Sequence, residues 1–117
     1  MNKIKHLFSA RPFYLIAGHD DSVIIHEVAH GLFYVNTLYR TQMLSLIKEM
    51  PKDFIARFKK GLWKQGYSSN VYLDEIQAYC VDNIVSKQNQ LDTMETKPGD
   101  RKLCRRFYNI FKEHYPL

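Results

Sequence analysis

The chain has 117 residues, which is the size of one domain with a modest hydrophobic core. Apolar residues make up 45% and charged residues 25%, as in an ordinary globular protein, and no apolar run reaches the roughly 18 residues of a membrane-spanning helix. The net charge of +5 permits binding to an anionic surface but is too small to establish it.

The first ten residues are partly basic but contain no apolar segment of secretory length, so we expect a cytoplasmic protein. The two cysteines, Cys80 and Cys104, fit that location as reduced, packed thiols, because small secreted domains usually carry more. They do not form a Cys-x-x-Cys pair, and a cysteine-based metal site is therefore not expected.

The first half of the chain predicts one strand and two helices. The aromatic and aliphatic run Phe13–Ala17 is the best strand candidate. Residues 20–22 supply capping side chains for a helix from about Val23 to Val35. Residues 36–37 are a plausible break, and a second helix is predicted from Leu38 to Met50.

The second half predicts three more helices. Pro51 suits the first turn of a third helix, whose apolar stripe comprises Phe54, Ile55, Phe58, Leu62 and Trp63. Residues 66–70 form a loop, a fourth helix covers about 71–86, and a polar segment leads to a last helix over about 101–114. Leu103, Phe107, Ile110 and Phe111 face the core from this last helix. The result is a mainly α domain, a helix bundle with a reduced sheet of one or two strands.

The most informative motif is His26-Glu27-Val28-Ala29-His30, which lies within the first predicted helix. Helical residues four apart lie on one face, so both imidazoles can reach a single metal ion. The carboxylate of Glu27 projects from a neighbouring position, where it can act on a metal-bound water. This His-Glu-x-x-His pattern is typical of zinc hydrolases.

A catalytic zinc site needs a third protein ligand and one open position. His19 belongs to the loop if residues 20–22 cap the helix, and His114 has no supporting pattern. Phe33 and Asn36 exclude the extended motif of the metzincins. Glu75, early on the fourth predicted helix, is the better candidate, with Asp74 as the fallback ligand.

From His26 to about Asp82 the chain resembles the gluzincins, the thermolysin-like zinc peptidases, in which a second helix supplies a glutamate ligand. The resemblance implies an α+β zincin-like metalloprotease domain over residues 1–117. It implies that His26, His30 and Glu75 bind Zn²⁺. It also implies that Glu27 is the general base and acid in the cleavage of a peptide or protein substrate.

Two departures from the gluzincin pattern affect this interpretation. The acidic residue expected one turn after the third ligand is replaced by Tyr79. Asp82 lies on nearly the same face and either orients a histidine or is a surface residue. A peptidase also needs a hydrogen-bond donor that stabilises the oxyanion formed during the reaction. The candidate donors are Tyr67 and Tyr72, and after them His19. The alternative for each tyrosine is a role in packing alone.

Two other functions remain open. The chain lacks the acidic residue that gluzincins carry at the position of Tyr79, and it lacks most of their sheet. Both features fit a catalytically inactive domain that binds zinc or a partner. The last helix carries a basic run that favours a solvated face over nucleic-acid binding: Arg101, Lys102, Arg105, Arg106 and Lys112. The oligomeric state is not determined by the sequence.

Overall fold

The computed structural model describes residues 21–87, 91 and 93–115, with side chains from residue 24 onward. These residues form five α-helices, a short 3₁₀ helix and no strand, so the mainly α prediction is confirmed. The predicted strand Phe13–Ala17 lies outside the described residues. Residues 21–22, predicted as part of a cap, are helical backbone, because the first helix begins at Asp21 and not near Val23. The helices are α1 (Asp21–Val35), α2 (Thr37–Glu49), α3 (Lys52–Lys64), α4 (Tyr72–Ser86) and α5 (Asp100–His114), with the 3₁₀ helix at Ser69–Val71.

The break between α1 and α2 is made by Asn36. Its backbone is extended, with φ −110° and ψ 104°, and its side-chain oxygen accepts a hydrogen bond from the Tyr39 N–H at 2.9 Å. Its own N–H donates to the Leu32 carbonyl at 2.9 Å. One asparagine therefore closes the first helix and caps the second, at the position where the sequence predicted a break.

The fourth helix, α4, is the centre of the bundle. It contacts each of the other four helices, and its most extensive contacts are with α1 and α5. A helix surrounded by other helices has buried apolar positions on several faces instead of one stripe. That is the pattern of α4, whose buried apolar residues are Ile76, Ala78, Cys80, Val81 and Ile84.

The apolar stripe predicted for α3 packs on the core at four of its five positions. Phe54, Phe58 and Leu62 are almost fully buried, spaced one helical turn apart on one face. Ile55 is half-buried. The inclusion of Trp63 in the stripe was wrong, since it is 69% exposed. Each helical residue is rotated by about 100° from the one before, so the residue after Leu62 turns away from the core.

The last helix, α5, packs with Phe107 and Phe111 fully buried, while Leu103 and Ile110 are half-buried at the edge of the core. Across its contact with α4, the free thiols of Cys80 and Cys104 are both buried, with their Sγ atoms 2.8 Å apart. In the part of the chain that the structure describes, no helix has both the length and the apolar character needed to cross a bilayer.

Candidate metal centre

The helix α1 presents His26 and His30 on the same face, as their spacing predicted. Their rings meet edge to face, with centroids 4.8 Å apart. The side chains are 19% and 30% exposed, so the pair lies at the edge of the core and not beneath it. Both imidazoles therefore remain within reach of a small ligand.

The helix α4 brings Glu75 to these two histidines. Its Oε1 atom lies 3.6 Å from Nε2 of His26 and 3.4 Å from Nε2 of His30. Candidate ligand atoms of the three residues all lie within 4.8 Å of one another. Glu75 is separated from His30 by 45 residues of sequence, and the close packing of α4 on α1 brings them together.

The Oε1 atom of Glu75 is buried and has no hydrogen-bond partner. A buried carboxylate oxygen without a well-directed donor is costly, and here the charge of Glu75 is offset by the two imidazoles at ion-pair distance. The two nearest nitrogens lie beyond good hydrogen-bonding distance. The arrangement is suited to a cation between the three groups.

Each histidine uses its other ring nitrogen to bind a carboxylate. Nδ1 of His26 lies 3.1 Å from Oδ2 of Asp82, and Nδ1 of His30 lies 2.9 Å from Oδ2 of Asp74. An ionised carboxylate can only accept, so each Nδ1 carries the proton and donates it. The two Nε2 atoms are thereby directed toward Glu75, as in metal sites where a carboxylate orients a histidine ligand.

These contacts decide between the interpretations that the sequence left open. Asp82 binds His26 and is not a plain surface residue. Asp74, the fallback ligand, lies at the Nδ1 side of His30, away from Glu75. Its orienting contact was missed, because no spacing rule relates Asp74 to a histidine on another helix.

The electrostatics of the cluster favour a positive charge between its carboxylates. Burial acts to lower the pKa of His30, but the bond to Asp74 and the nearby carboxylate of Glu75 outweigh it and raise that pKa to about 10. Burial likewise opposes the rise in the pKa of His26, which Asp82 and Glu75 cause. Burial alone would raise the pKa of Glu75, yet the two histidines lower it to about 2.

The remaining predicted site residues are distributed as follows. Glu27 is half-buried on α1, directly after His26. His114 does not join the cluster; its ring lies against Tyr39, and its Nε2 faces Oε1 of Gln42 at 2.6 Å. His19 lies outside the described residues.

Two tyrosines border the cluster. The ring of Tyr79 packs edge to face on His26 at 4.7 Å, and its hydroxyl bonds to that of Tyr67 at 2.9 Å. Burial, and then the bond to Tyr67, raise the pKa of Tyr79, which keeps its hydroxyl neutral. Tyr72, the other candidate oxyanion donor, packs against the hydrophobic core.

Comparison with known protein families, curated proteins and solved structures finds no match for the chain. The resemblance to gluzincins is therefore carried by the motif and the position of Glu75 alone.

The donor types match those that zinc binds, and two of the separations among the three residues match its spacing, within a set whose ligand atoms lie up to 4.8 Å apart. Zinc binds imidazole nitrogen and carboxylate oxygen at about 2.0–2.2 Å, which places neighbouring ligand atoms about 3.4 Å apart in a tetrahedral site. The contacts of Glu75 with the two histidines, at 3.6 and 3.4 Å, are close to that spacing. If these three residues bound a tetrahedral zinc, one position would stay open, as in catalytic zinc sites and unlike closed structural ones.

Proposed function

We propose that this chain is a zinc-dependent hydrolase, a small gluzincin-like metallopeptidase that cleaves a peptide or protein substrate in the cytoplasm. The observation that carries the proposal is the buried Oε1 of Glu75, which accepts no well-formed hydrogen bond and faces Nε2 of both His26 and His30. The zincin-like character of the fold is part of the proposal.

In this function His26, His30 and Glu75 hold the metal, and Asp82 and Asp74 orient the two imidazoles. Zinc, when bound, supplies a Lewis acid that polarises a carbonyl group and acidifies water. Glu27 accepts a proton from the attacking water and then returns it to the leaving amine. Its place beside His26, outside the set of ligands, suits this role.

The alternative is a domain that binds zinc or a partner but no longer catalyses. Tyr79 stands where gluzincins carry an acidic residue, and the described residues form no strand along which an extended substrate could pair. The carboxylate of Asp82 offsets the first of these departures, because it orients His26 from one helical turn further along. Catalysis therefore remains the better supported proposal.

The test compares the wild-type chain with His30→Ala and Glu27→Gln. We expect the wild type, purified without added zinc, to contain about one zinc per chain by elemental analysis, and His30→Ala to lose it. Glu27→Gln should keep the metal, while its hydrolysis of unstructured peptides falls by about 10²- to 10⁴-fold. The conservative change keeps the size of the side chain and removes only the base.

Each result has a distinct meaning. Full peptide hydrolysis by Glu27→Gln would refute the proposed mechanism. Zinc binding by a wild type that cleaves no peptide would favour the non-catalytic alternative. A folded wild type without zinc would contradict the hydrolase and leave only a partner-binding domain.

A further inference from the structure

A chain of hydrogen bonds leads from the half-buried His30 into the core. It begins at Asp74, whose Oδ2 binds Nδ1 of His30 at 2.9 Å. Its other oxygen, Oδ1, accepts a hydrogen bond from Nε2 of Gln77 at 2.9 Å. Both oxygens of the orienting carboxylate are thus engaged, one by the histidine and one by an amide.

Gln77 is fully buried, and its amide can adopt only one orientation. Its Nε2 also donates to the backbone carbonyl of Ala29 at 3.0 Å, and its Oε1 accepts from the Tyr39 hydroxyl at 2.6 Å. The opposite amide orientation would direct Oε1 at two acceptors. Because Ala29 directly precedes His30, the amide ties α4 to α1 next to the histidine.

Tyr39 fixes the far end of this chain. It is fully buried on α2, and the ring of His114 from α5 packs edge to face on it at 5.2 Å. Burial, and then the charge of Asp74, raise the pKa of Tyr39, so its hydroxyl stays a neutral donor. Side chains from four helices therefore fix the orientation of one carboxylate.

We infer that Tyr39 and Gln77 are positioning residues for the metal ligand His30, acting through Asp74. By holding Asp74 in one orientation they keep a proton of His30 on Nδ1 and its Nε2 directed at Glu75. This inference rests on the proposed zinc site and adds a role for two buried polar residues that no motif identifies. His26, oriented by Asp82, does not belong to this chain and serves as an internal reference.

The first test measures zinc affinity by competition with a chromogenic chelator. Loss of a residue that orients a metal ligand costs about 10- to 100-fold in affinity, and we expect Tyr39→Phe to lie near the lower end, since it acts through Gln77. Gln77→Met, which removes the amide at similar volume, should cost more. In an Asp74→Asn background the effect of Tyr39→Phe should shrink to less than about twofold, because its route to His30 is already broken.

The second test is spectroscopic. In long-range ¹H–¹⁵N spectra of the zinc form, the Nδ1 proton of His30 should exchange faster with solvent in Tyr39→Phe than in the wild type, while that of His26 is unchanged. The control is Asp100→Asn, which changes a buried carboxylate on α5 that binds Arg57. This variant should lose stability and keep its zinc affinity.

The outcomes separate this inference from the proposed function. Wild-type affinity in a folded Tyr39→Phe or Gln77→Met would overturn the inference and leave the zinc site standing. An equal loss with and without Asp74→Asn would also overturn it, since that marks a structural effect. Failure of the wild type to bind zinc would overturn both. If one of the two variants does not fold, the other provides the test.

Discussion

At the residue scale, the candidate site consists of two histidines whose ring nitrogens have separate partners. Asp82 and Asp74 hold the Nδ1 atoms of His26 and His30, and Glu75 faces the Nε2 atoms. Three carboxylates around two imidazoles give the cluster an excess of negative charge that a divalent cation reduces. The orientation of each ring therefore depends on a residue that would not itself touch the metal.

The first residue-scale prediction concerns Asp82. Asp82→Asn removes the charge behind His26 and should weaken zinc binding by about 10-fold or more, as measured by chelator competition. The matched control is Asp53→Asn on α3, which neutralises an exposed carboxylate that binds Arg57 and Lys97. Equal zinc affinities for Asp82→Asn and the control would show that Asp82 does not support the site.

At the element scale, the contact between α3 and the segment before α5 depends on a glycine. Gly61 is buried within α3, and a Cβ atom built on it would lie 1.4 Å from the Thr93 carbonyl oxygen. Because that oxygen belongs to the backbone, a change of side-chain rotamer cannot relieve the clash. The close approach of helix and segment therefore requires the absence of a side chain at this position.

The element-scale prediction is that Gly61→Ala destabilises the protein. Alanine is preferred over glycine in a helix by about 1 kcal/mol, but overpacking of this kind typically costs about 1–3 kcal/mol. We expect the clash to exceed the gain in helix propensity and the free energy of unfolding in denaturant to fall. Lys60→Ala, at the exposed neighbouring position, should change it little. A Gly61→Ala variant as stable as the wild type would show that the segment moves aside without cost.

At the scale of the whole molecule, one ion pair joins α3 to the start of α5. The guanidinium of Arg57 binds both carboxylate oxygens of Asp100, at 2.7 and 2.9 Å, and Asp100 is only 3% exposed. Burial acts to raise the pKa of Asp100, but the hydrogen bonds from Arg57 and from the Lys97 N–H lower it below its ordinary value. Removing Asp100 would leave the largely buried Arg57 with the exposed Asp53 as its carboxylate partner, which compensates its charge less well.

The whole-molecule prediction follows from the direction of that pKa shift. A carboxyl group whose pKa is lowered by folding stabilises the folded state above its unfolded pKa of about 3.9, and that contribution is lost as the pH falls through the folded pKa. Asp100→Asn should therefore lower the melting temperature at neutral pH. The difference from the wild type should shrink below about pH 4. Melting curves of both proteins across this range test it, and a difference that is constant with pH would contradict the assignment.

Local sequence patterns predicted most of the helices because the signals that begin and end them are local. Asn36 supplies a cap, Pro51 precedes α3, and Gly99 has the positive φ of 92° that precedes α5. The same patterns did not exclude Trp63 from the core, since the width of a buried stripe depends on what packs against the helix. The strand Phe13–Ala17 stays a prediction.

The sequence by itself determined the metal-ligand candidates His26 and His30, because a four-residue spacing on a helix fixes their common face. It also selected Glu75, through a resemblance, and left the role of Asp82 open. Only the tertiary structure decided which oxygen faces which nitrogen, since that depends on how α4 is rotated against α1. The contacts of Asp74, Gln77 and Tyr39 follow from the same packing, and hydrogen bonds between distant helices leave no periodic pattern in a sequence.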